Sequence, residues 1–217
     1  MKIIGINGSP RKQWNTATLV AKALEGSAAQ GASTELFHLY DLNFKGCISC
    51  FACKTRGGKS YGKCVLNDGL TPILEKIAVA DALVIGSPIY FGTVTGETRS
   101  FIERLLFPCL TYTKPYGTLF PKKIKTGLIY TMNVPEDLSK EYGYEQIFNT
   151  HERYMRMLLG SAETLCAFDT CQVDDYSKVV IESFDPAHKA RRRAEALPLE
   201  CDRAFALGQR LAAGNGD

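Results

Sequence analysis

The period of the apolar positions changes twice within the first forty residues. Lys2 to Asn7 holds Ile3, Ile4 and Ile6 in a short run that stops at Gly8-Ser9-Pro10. That is the pattern of a strand buried on both faces of a parallel sheet and followed by a turn. Thr16 to Gln30 then spaces Ala17, Leu19, Val20, Ala23 and Leu24 at helical intervals, with Gly31 just past the end. Glu35 to Tyr40 reads as a second strand. The chain thus opens strand–helix–strand, a unit whose crossover is right-handed.

The alternation continues downstream. Helix is predicted over Leu70 to Val79, Gly96 to Leu106 and His151 to Leu159. Strands three to five are predicted at Ala82 to Gly86, Thr126 to Thr131 and Thr164 to Cys171. Pro186 to Ala213 is charged, alanine-rich and interrupted by Pro198, which predicts one or two closing helices. A loop-rich, cysteine-bearing insertion occupies 46–69, and there is neither an internal repeat nor a long linker. Five strands alternating with helices predict an α/β fold, an open, doubly wound parallel sheet covered on both faces. A length of 217 residues suits one sizeable core, so the whole of 1–217 reads as a single domain. Ligands of such sheets bind outside the carboxyl ends of the strands. Three loops then become candidates: Gly8 to Thr16, Ser87 to Gly92 and Thr131 to Pro135.

Composition narrows the function classes. Hydrophobic residues make up 45% and charged residues 23%, as in ordinary folded proteins. A net charge of +3 gives no case for nucleic acid as a partner. The opening apolar run is too short for a signal peptide, and no stretch is long enough to span a bilayer. The expectation is a cytoplasmic protein without a membrane partner.

The first candidate loop, Gly8-Ser9-Pro10-Arg11-Lys12-Gln13-Trp14-Asn15-Thr16, has the groups a phosphate needs. Amides at a helix N-terminus point outward with partial positive charge. Ser9, Asn15 and Thr16 offer side-chain donors, Ala17 continues the first turn, and Arg11 brings a forked cation. No Gly-Lys-Ser/Thr closes the loop and the spaced dinucleotide glycines are missing, which argues against an ATPase and a Rossmann dehydrogenase. The competing reading is a plain turn, with Asn15 or Thr16 as N-cap and Arg11 solvated. After the third strand, Ser87-Pro88-Ile89-Tyr90-Phe91-Gly92 suits the border of a flat ring: a rigid proline, two aromatics and a glycine that admits close approach. The competing reading there is a turn with two buried aromatics.

Gly8-Ser9-Pro10-Arg11…Asn15-Thr16 and Gly86-Ser87-Pro88-Ile89-Tyr90-Phe91-Gly92 together resemble the NADPH-dependent FMN reductase family, of the flavodoxin-like superfamily. The resemblance implies strand order 2-1-3-4-5. It implies FMN with its phosphate at Ser9, Arg11, Asn15, Thr16 and Ala17, and its ring bordered by Pro88, Ile89, Tyr90, Phe91 and Gly92. Thr131, Met132 and Asn133 would lie on the ring's other side. It also implies NAD(P)H as co-substrate and a homodimer or homotetramer with the flavin near a subunit interface.

Gly46-Cys47-Ile48-Ser49-Cys50-Phe51-Ala52-Cys53 carries three cysteines at two-residue gaps, and Cys64 follows after ten residues. Four thiolates are the ligand set of a [4Fe–4S] cluster. They also suit tetrahedral zinc, and a redox-inert or thiol-reactive loop is the third reading. This segment resembles the iron–sulfur flavoproteins, in which the fourth cysteine usually stands closer. Cys109, Cys166, Cys171 and Cys201 read as small core residues, and Arg191-Arg192-Arg193 as a solvated helix face.

The function expected from these residues and resemblances is an FMN-dependent oxidoreductase passing electrons from NAD(P)H to a small acceptor such as a quinone or flavin. The flavin supplies the chemistry, and no side-chain acid or base is required. The alternatives are an iron–sulfur flavoprotein electron carrier exchanging single electrons with a ferredoxin-like partner, and a non-catalytic flavin-binding regulator.

Overall fold

Each of the strands alternates its side chains between two apolar layers. The computed structural model describes residues 1–213. In β1 (Lys2–Asn7), Ile4 and Ile6 enter one core while Ile3 enters the other. In β3 (Ala82–Tyr90), Leu83 and Ile85 face the first core, Ala82 and Val84 the second. Both faces are apolar because both are covered, as parallel sheets require. Helices α2 (Thr71–Ala78), α3 (Gly96–Cys109) and α5 (Tyr144–Leu159) bury Ile73, Phe101 and Met155 in the first layer. Helices α1 (Asn15–Ala29) and α6 (Pro186–Ala212) bury Leu19, Val20, Leu207 and Leu211 in the second.

The five parallel strands stand in the order β2-β1-β3-β5-β6, where β2 is Ser33–His38, β5 Ile124–Thr131 and β6 Gly160–Ala167. A two-residue β4 (Thr93–Val94) turns back on the end of β3. Without that hairpin the order is the expected 2-1-3-4-5, a flavodoxin-like arrangement. The strand order reverses between β1 and β3, so the carboxyl ends of these two strands mark the ligand crevice.

Several boundaries differ from the sequence pattern for local reasons. Strand β3 continues four residues past Gly86, because Ser87 and Pro88 pair with Tyr130 and Thr131 of β5. Strand β6 starts at Gly160, directly off the end of α5, so 168–171 is loop and not strand. Helix α5 begins at Tyr144, two turns before its first strongly apolar stretch, and a short α4 (Glu136–Glu141) precedes it.

Helix α6 runs unbroken through Pro198. The proline leaves the Ala194 carbonyl without its helical donor. A nearly buried ion pair brackets the site, Arg192 Nη1 donating to Glu200 Oε2 at 3.0 Å. The Arg191-Arg192-Arg193 face is therefore not simply solvated: Arg192 is spent on Glu200 and Arg193 lies over Trp14.

The closest packing is between α1 and α6. A Cβ on Gly208 would stand 1.7 Å from the Ala23 carbonyl oxygen, and one on Gly26 2.0 Å from that of Phe205. Ser27 Oγ, buried between them, donates to the Gly208 carbonyl at 3.0 Å. Bare backbone at the crossing lets the two helices touch.

Candidate functional site

The loop after β1 is held by its own side chains. Asn7 is fully buried; its Oδ1 accepts from the Ser9 amide and its Nδ2 donates to the Ser9 carbonyl, both at 3.1 Å. Ser9 Oγ accepts from the Arg11 amide at 3.1 Å. The Gly8 amide donates across to the Gly86 carbonyl at 2.8 Å. Gly8 has no room for a side chain, since a Cβ would lie 1.8 Å from Thr98 Oγ1. These bonds shape a tight turn that leads into α1.

Helix α1 begins at Asn15, with Trp14 at the N-cap position and no side-chain cap bond. Neither Asn15 nor Thr16 is the cap, as the plain-turn reading required. Tryptophan cannot accept from the first-turn amides, so the amides of Asn15, Thr16 and Ala17 have neither an intrahelical nor a side-chain partner. The first turn carries no acidic residue. An uncapped 15-residue helix with an arginine beside its start has the donor chemistry of an anion cradle.

The expected side chains take more specific places than the sequence suggested. Asn15 Nδ2 donates to the Cys171 carbonyl at 2.8 Å, and Trp14 Nε1 donates to the same oxygen at 3.0 Å. Thr16 Oγ1 and Thr131 Oγ1 meet at 2.7 Å, buried. Arg11 is exposed; its guanidinium donates to the Gln172 carbonyl and lies 4.8 Å from the Trp14 ring centre. On that ring Arg193 stands at 4.3 Å. Asn15 and Thr16 thus anchor the cradle to neighbouring loops, while the backbone presents the donors.

Ser87 to Tyr90 is strand, and only Phe91 and Gly92 form a turn, that of the β3–β4 hairpin. Both have positive φ, 49° and 81°. Phe91 is fully exposed and Tyr90 partly so, which overturns the reading of two buried aromatics. Tyr144 of α5 lies against Gly92. After β5, Met132 is buried, and the Asn133 Oδ1 is closed from water with no donor. Lys189, buried on α6, donates to the Asn133 carbonyl at 3.2 Å and pairs with Asp169.

Two residues that tie the site together carried no signal in the sequence reading. Thr95 caps α3, accepting from the Thr98 amide, and its Oγ1 donates to the Gly8 carbonyl at 2.8 Å. Its amide donates to Ser87 Oγ at 3.1 Å. The Thr-x-x-Thr spacing before an apolar run was the available clue. Tyr40 lies beside Glu97, Thr95 and Tyr90; burial, then the Glu97 carboxylate, pushes its phenol up to about 12. The loop after β1, the hairpin and the loop after β5 therefore close on one another at the carboxyl ends of β1, β3 and β5.

The cysteine segment lies along α3. Cys47, Cys50, Cys53 and Cys64 line one small cavity of about 20 Å³, together with Arg104 and Phe107. All four thiols are free; Cys53 is buried, and burial raises its pKa although Lys54 opposes the rise. Arg104 clasps the base of the segment and Lys54 its tip, where Nζ donates to the Pro108 carbonyl at 2.9 Å and to those of Phe107 and Leu110. These orphan carbonyls at the end of α3 form a natural cation site. Ser49 and Phe51 hold left-handed backbone, φ 54° and 56°, within the loop. Among the described residues, no three His, Cys, Asp or Glu stand close enough to share one metal ion.

A separate groove, about 1010 Å³, opens between α6 and the 173–177 loop. None of the residues expected to hold a flavin lines it.

The model of the family described as NADPH-dependent FMN reductase matches residues 1–123, which span β1 to the threshold of β5. The chain belongs to that family. It is 34% identical over 149 residues to an iron–sulfur flavoprotein of Methanocaldococcus jannaschii, covering 69% of this chain and 70% of that protein. An iron–sulfur flavoprotein of Archaeoglobus fulgidus is 41% identical over 128 residues, covering 59% of this chain and 60% of its own length. Among solved structures, the NAD(P)H:quinone oxidoreductase of Methanothermobacter marburgensis superposes with TM-score 0.71 at 15% identity, over 97% of this chain and 98% of that one. An FMN-dependent NADH-azoreductase of Bacillus anthracis, solved with FMN, gives 0.65 at 14% identity, over 98% and 100%. At these identities the two structures share the fold. Among the described residues, no helix is long and apolar enough to cross a membrane.

Proposed function

We propose that this protein is an FMN-dependent oxidoreductase that accepts hydride from NADH or NADPH and passes the electrons to a quinone, flavin or similar small acceptor. The observation that carries this reading is the uncapped start of α1, tied by Thr16–Thr131 and Thr95–Gly8 to the other two ligand loops. FMN, when bound, supplies the hydride and electron chemistry itself. The chain's part is binding and orientation. The amides of Asn15, Thr16 and Ala17, with Ser9 and Arg11, would hold the phosphate. Pro88 to Gly92 would border the ring on one side, and Thr131, Met132 and Asn133 on the other. The Asn133 Oδ1, an acceptor without a donor, suits a ring N–H. The exposed Tyr90, Phe91 and Tyr142 offer the surface that a second subunit would cover in a homodimer or homotetramer. The test is the protein's absorbance spectrum and its steady oxidation of NADH and NADPH with a quinone acceptor. A flavin-free protein that turns over neither nicotinamide would refute the proposal.

A second reading is favoured by the cysteine cavity: an iron–sulfur flavoprotein whose Cys47, Cys50, Cys53 and Cys64 hold a [4Fe–4S] cluster. The donor set fits, since all four thiols line one cavity. The spacing does not yet fit, because about one water's volume is open there and the loop must spread to admit a cluster. The cysteine cavity is walled by the second half of α3, at Glu103, Arg104, Phe107 and Pro108. Such a cluster would supply single-electron exchange, with a ferredoxin-like protein as partner. Iron and acid-labile sulfide, measured after anaerobic reconstitution, decide between the two readings.

A further inference from the structure

Arg104 and Lys189 are the most deeply buried cations among the described residues, both 2% exposed, and Arg104 stands in the middle of α3. A guanidinium has five N–H donors in a rigid fork. Four are used. Nη1 donates to the Lys45 carbonyl and to Asp68 Oδ2, both at 2.8 Å. Nη2 donates to Asp68 Oδ1 at 3.2 Å and to the Leu66 carbonyl at 3.3 Å. The fifth, Nε–H, is closed from water and has no partner. An unpaired buried donor costs about 1–3 kcal/mol, and more when it is charged.

That free donor belongs to a residue that lines the cavity of Cys47, Cys50, Cys53 and Cys64. Cys64 stands beside the guanidinium. Burial works against the Arg104 charge, and the hydrogen-bonded Asp68 carboxylate offsets it. The surrounding contacts are those of a fixed frame. Asp68 orients the fork, while the carbonyls of Lys45 and Leu66 belong to the two ends of the cysteine segment. Glu103, also on the cavity wall, is engaged by Arg99 at 3.1 Å. Lys54, the other nearby cation, has its donors on the carbonyls of Phe107, Pro108 and Leu110 at the end of α3. Arg104 alone pairs a cationic donor left free with a wall of thiols.

We infer that Arg104 is a positioning residue of the cysteine site, its Nε–H held ready to donate to an anionic sulfur of the group that the four cysteines bind. The inference rests on the iron–sulfur reading. It adds that the cluster is electrostatically tuned from α3. The reduced form of such a cluster would carry one more negative charge than its oxidised form. A cationic donor on a sulfur favours that reduced state and so raises the cluster's reduction potential.

The test uses the full chain, reconstituted anaerobically with iron and sulfide. Two variants bracket the risk of misfolding. Arg104→Lys keeps a cation for Asp68 and removes the forked Nε–H. The double variant Arg104→Leu with Asp68→Leu removes the ion pair together, so no buried charge is stranded. Both should assemble about four irons per chain, with a midpoint potential more negative than that of the wild type. A full cluster at unchanged potential in both variants would overturn the inference while leaving the iron–sulfur reading intact. In wild-type protein carrying ¹⁵N-arginine, pulsed EPR of the reduced cluster should show a weak ¹⁵N coupling, and its absence overturns the inference even if neither variant folds. Wild-type protein that stays free of iron overturns the iron–sulfur reading and this inference together.

Discussion

Thr16, in the first turn of α1, and Thr131, at the carboxyl end of β5, meet hydroxyl to hydroxyl at 2.7 Å with both side chains buried. The bond reaches across β3 and fixes the start of α1 to the end of β5, the two segments proposed to flank the flavin. Removing one partner strands the other's buried hydroxyl, at about 1–3 kcal/mol, whereas removing both with matching shape is nearly neutral. Thr16→Val and Thr131→Val should each lower stability by that amount, and the double variant by clearly less than the sum. Chemical denaturation of the four proteins measures this; additive losses would show that the two hydroxyls are not coupled.

Arg11 lies exposed at the mouth of the cradle, on the Gln172 carbonyl and the Trp14 ring. An exposed guanidinium can exchange that carbonyl for a phosphate oxygen. Arg11→Ala should weaken FMN binding by about 1.5–3 kcal/mol, the value of a charge-assisted bond, while riboflavin binding barely changes. Titration with both ligands checks it, and an equal loss for the two would remove Arg11 from the phosphate site.

Phe91 holds φ 49° at the hairpin tip, with its ring wholly exposed. Two-residue hairpins with positive φ at both positions favour Asn-Gly, and a bulky residue there is strained by about 1–3 kcal/mol. The strain and the exposure are both unfavourable in the isolated chain, so the residue is a candidate for contact with a ring, a nicotinamide or a second subunit. Phe91→Asn should raise the melting temperature and slow flavin reduction by NADPH or NADH in stopped flow. Faster or unchanged reduction in a stabilised variant would show that the side chain serves neither.

His151 on α5 is buried, 3.0 Å from the Tyr130 hydroxyl, and its pKa is lowered to about 4, by burial first and then by Arg99. The unfolded chain takes up a proton near the ordinary value of about 6.5, which the folded chain refuses until about pH 4. The stabilisation is therefore complete above pH 6.5 and is lost progressively as pH falls toward 4. The loss should be on the order of 2–3 kcal/mol. His151→Gln, which keeps a hydrogen bond to Tyr130 without titrating, should flatten the stability curve across that window. A curve of unchanged slope would assign the acid loss to other groups.

Much of this arrangement was readable from residues, and the exceptions share a cause. The core strands and α1 were legible because Ile3, Ile4, Ile6 and the Leu19–Leu24 spacing record burial directly. The candidate loops were legible because glycine and proline punctuate them at strand ends. What the pattern could not show was which partner each polar group would find. Asn15 reads as a phosphate donor, yet its amide is turned to the Cys171 carbonyl, 156 residues away in the chain. Ser87 and Pro88 read as a loop, and only their pairing with β5 makes them strand. The continuity of α6 through Pro198 depends on tertiary contacts, which local propensity does not contain. The convergence of four cysteines on one cavity was a matter of spacing in the sequence, whereas the free Nε–H of Arg104 beside them was not visible there at all.

The α1–α6 crossing links stability to the cradle. Gly208 meets α1 where a Cβ would stand 1.7 Å from the Ala23 carbonyl oxygen and 2.9 Å from the Ser27 amide nitrogen. Both are backbone atoms, which cannot swing aside as a flexible side chain would. Gly208→Ala must therefore push the two helices apart, breaking the Ser27–Gly208 bond and loosening the apolar layer of Leu19, Val20, Leu207 and Leu211. In the helix interior, alanine by itself is favoured over glycine by about 1 kcal/mol. Overpacking of this kind costs about 1–3 kcal/mol, and here it acts on rigid backbone, so the net change should be destabilising. The N-terminal turn of α1 is the proposed anion cradle, and its position on the sheet is set by the same helix. FMN affinity should fall along with the melting temperature in Gly208→Ala, and in Gly26→Ala for the same reason. A control such as Gly96→Ala, whose Cβ meets nothing within 4 Å, should leave the melting temperature within a degree or two of the wild type. If Gly208→Ala is as stable as the wild type and binds FMN normally, the crossing is not what holds the cradle in place.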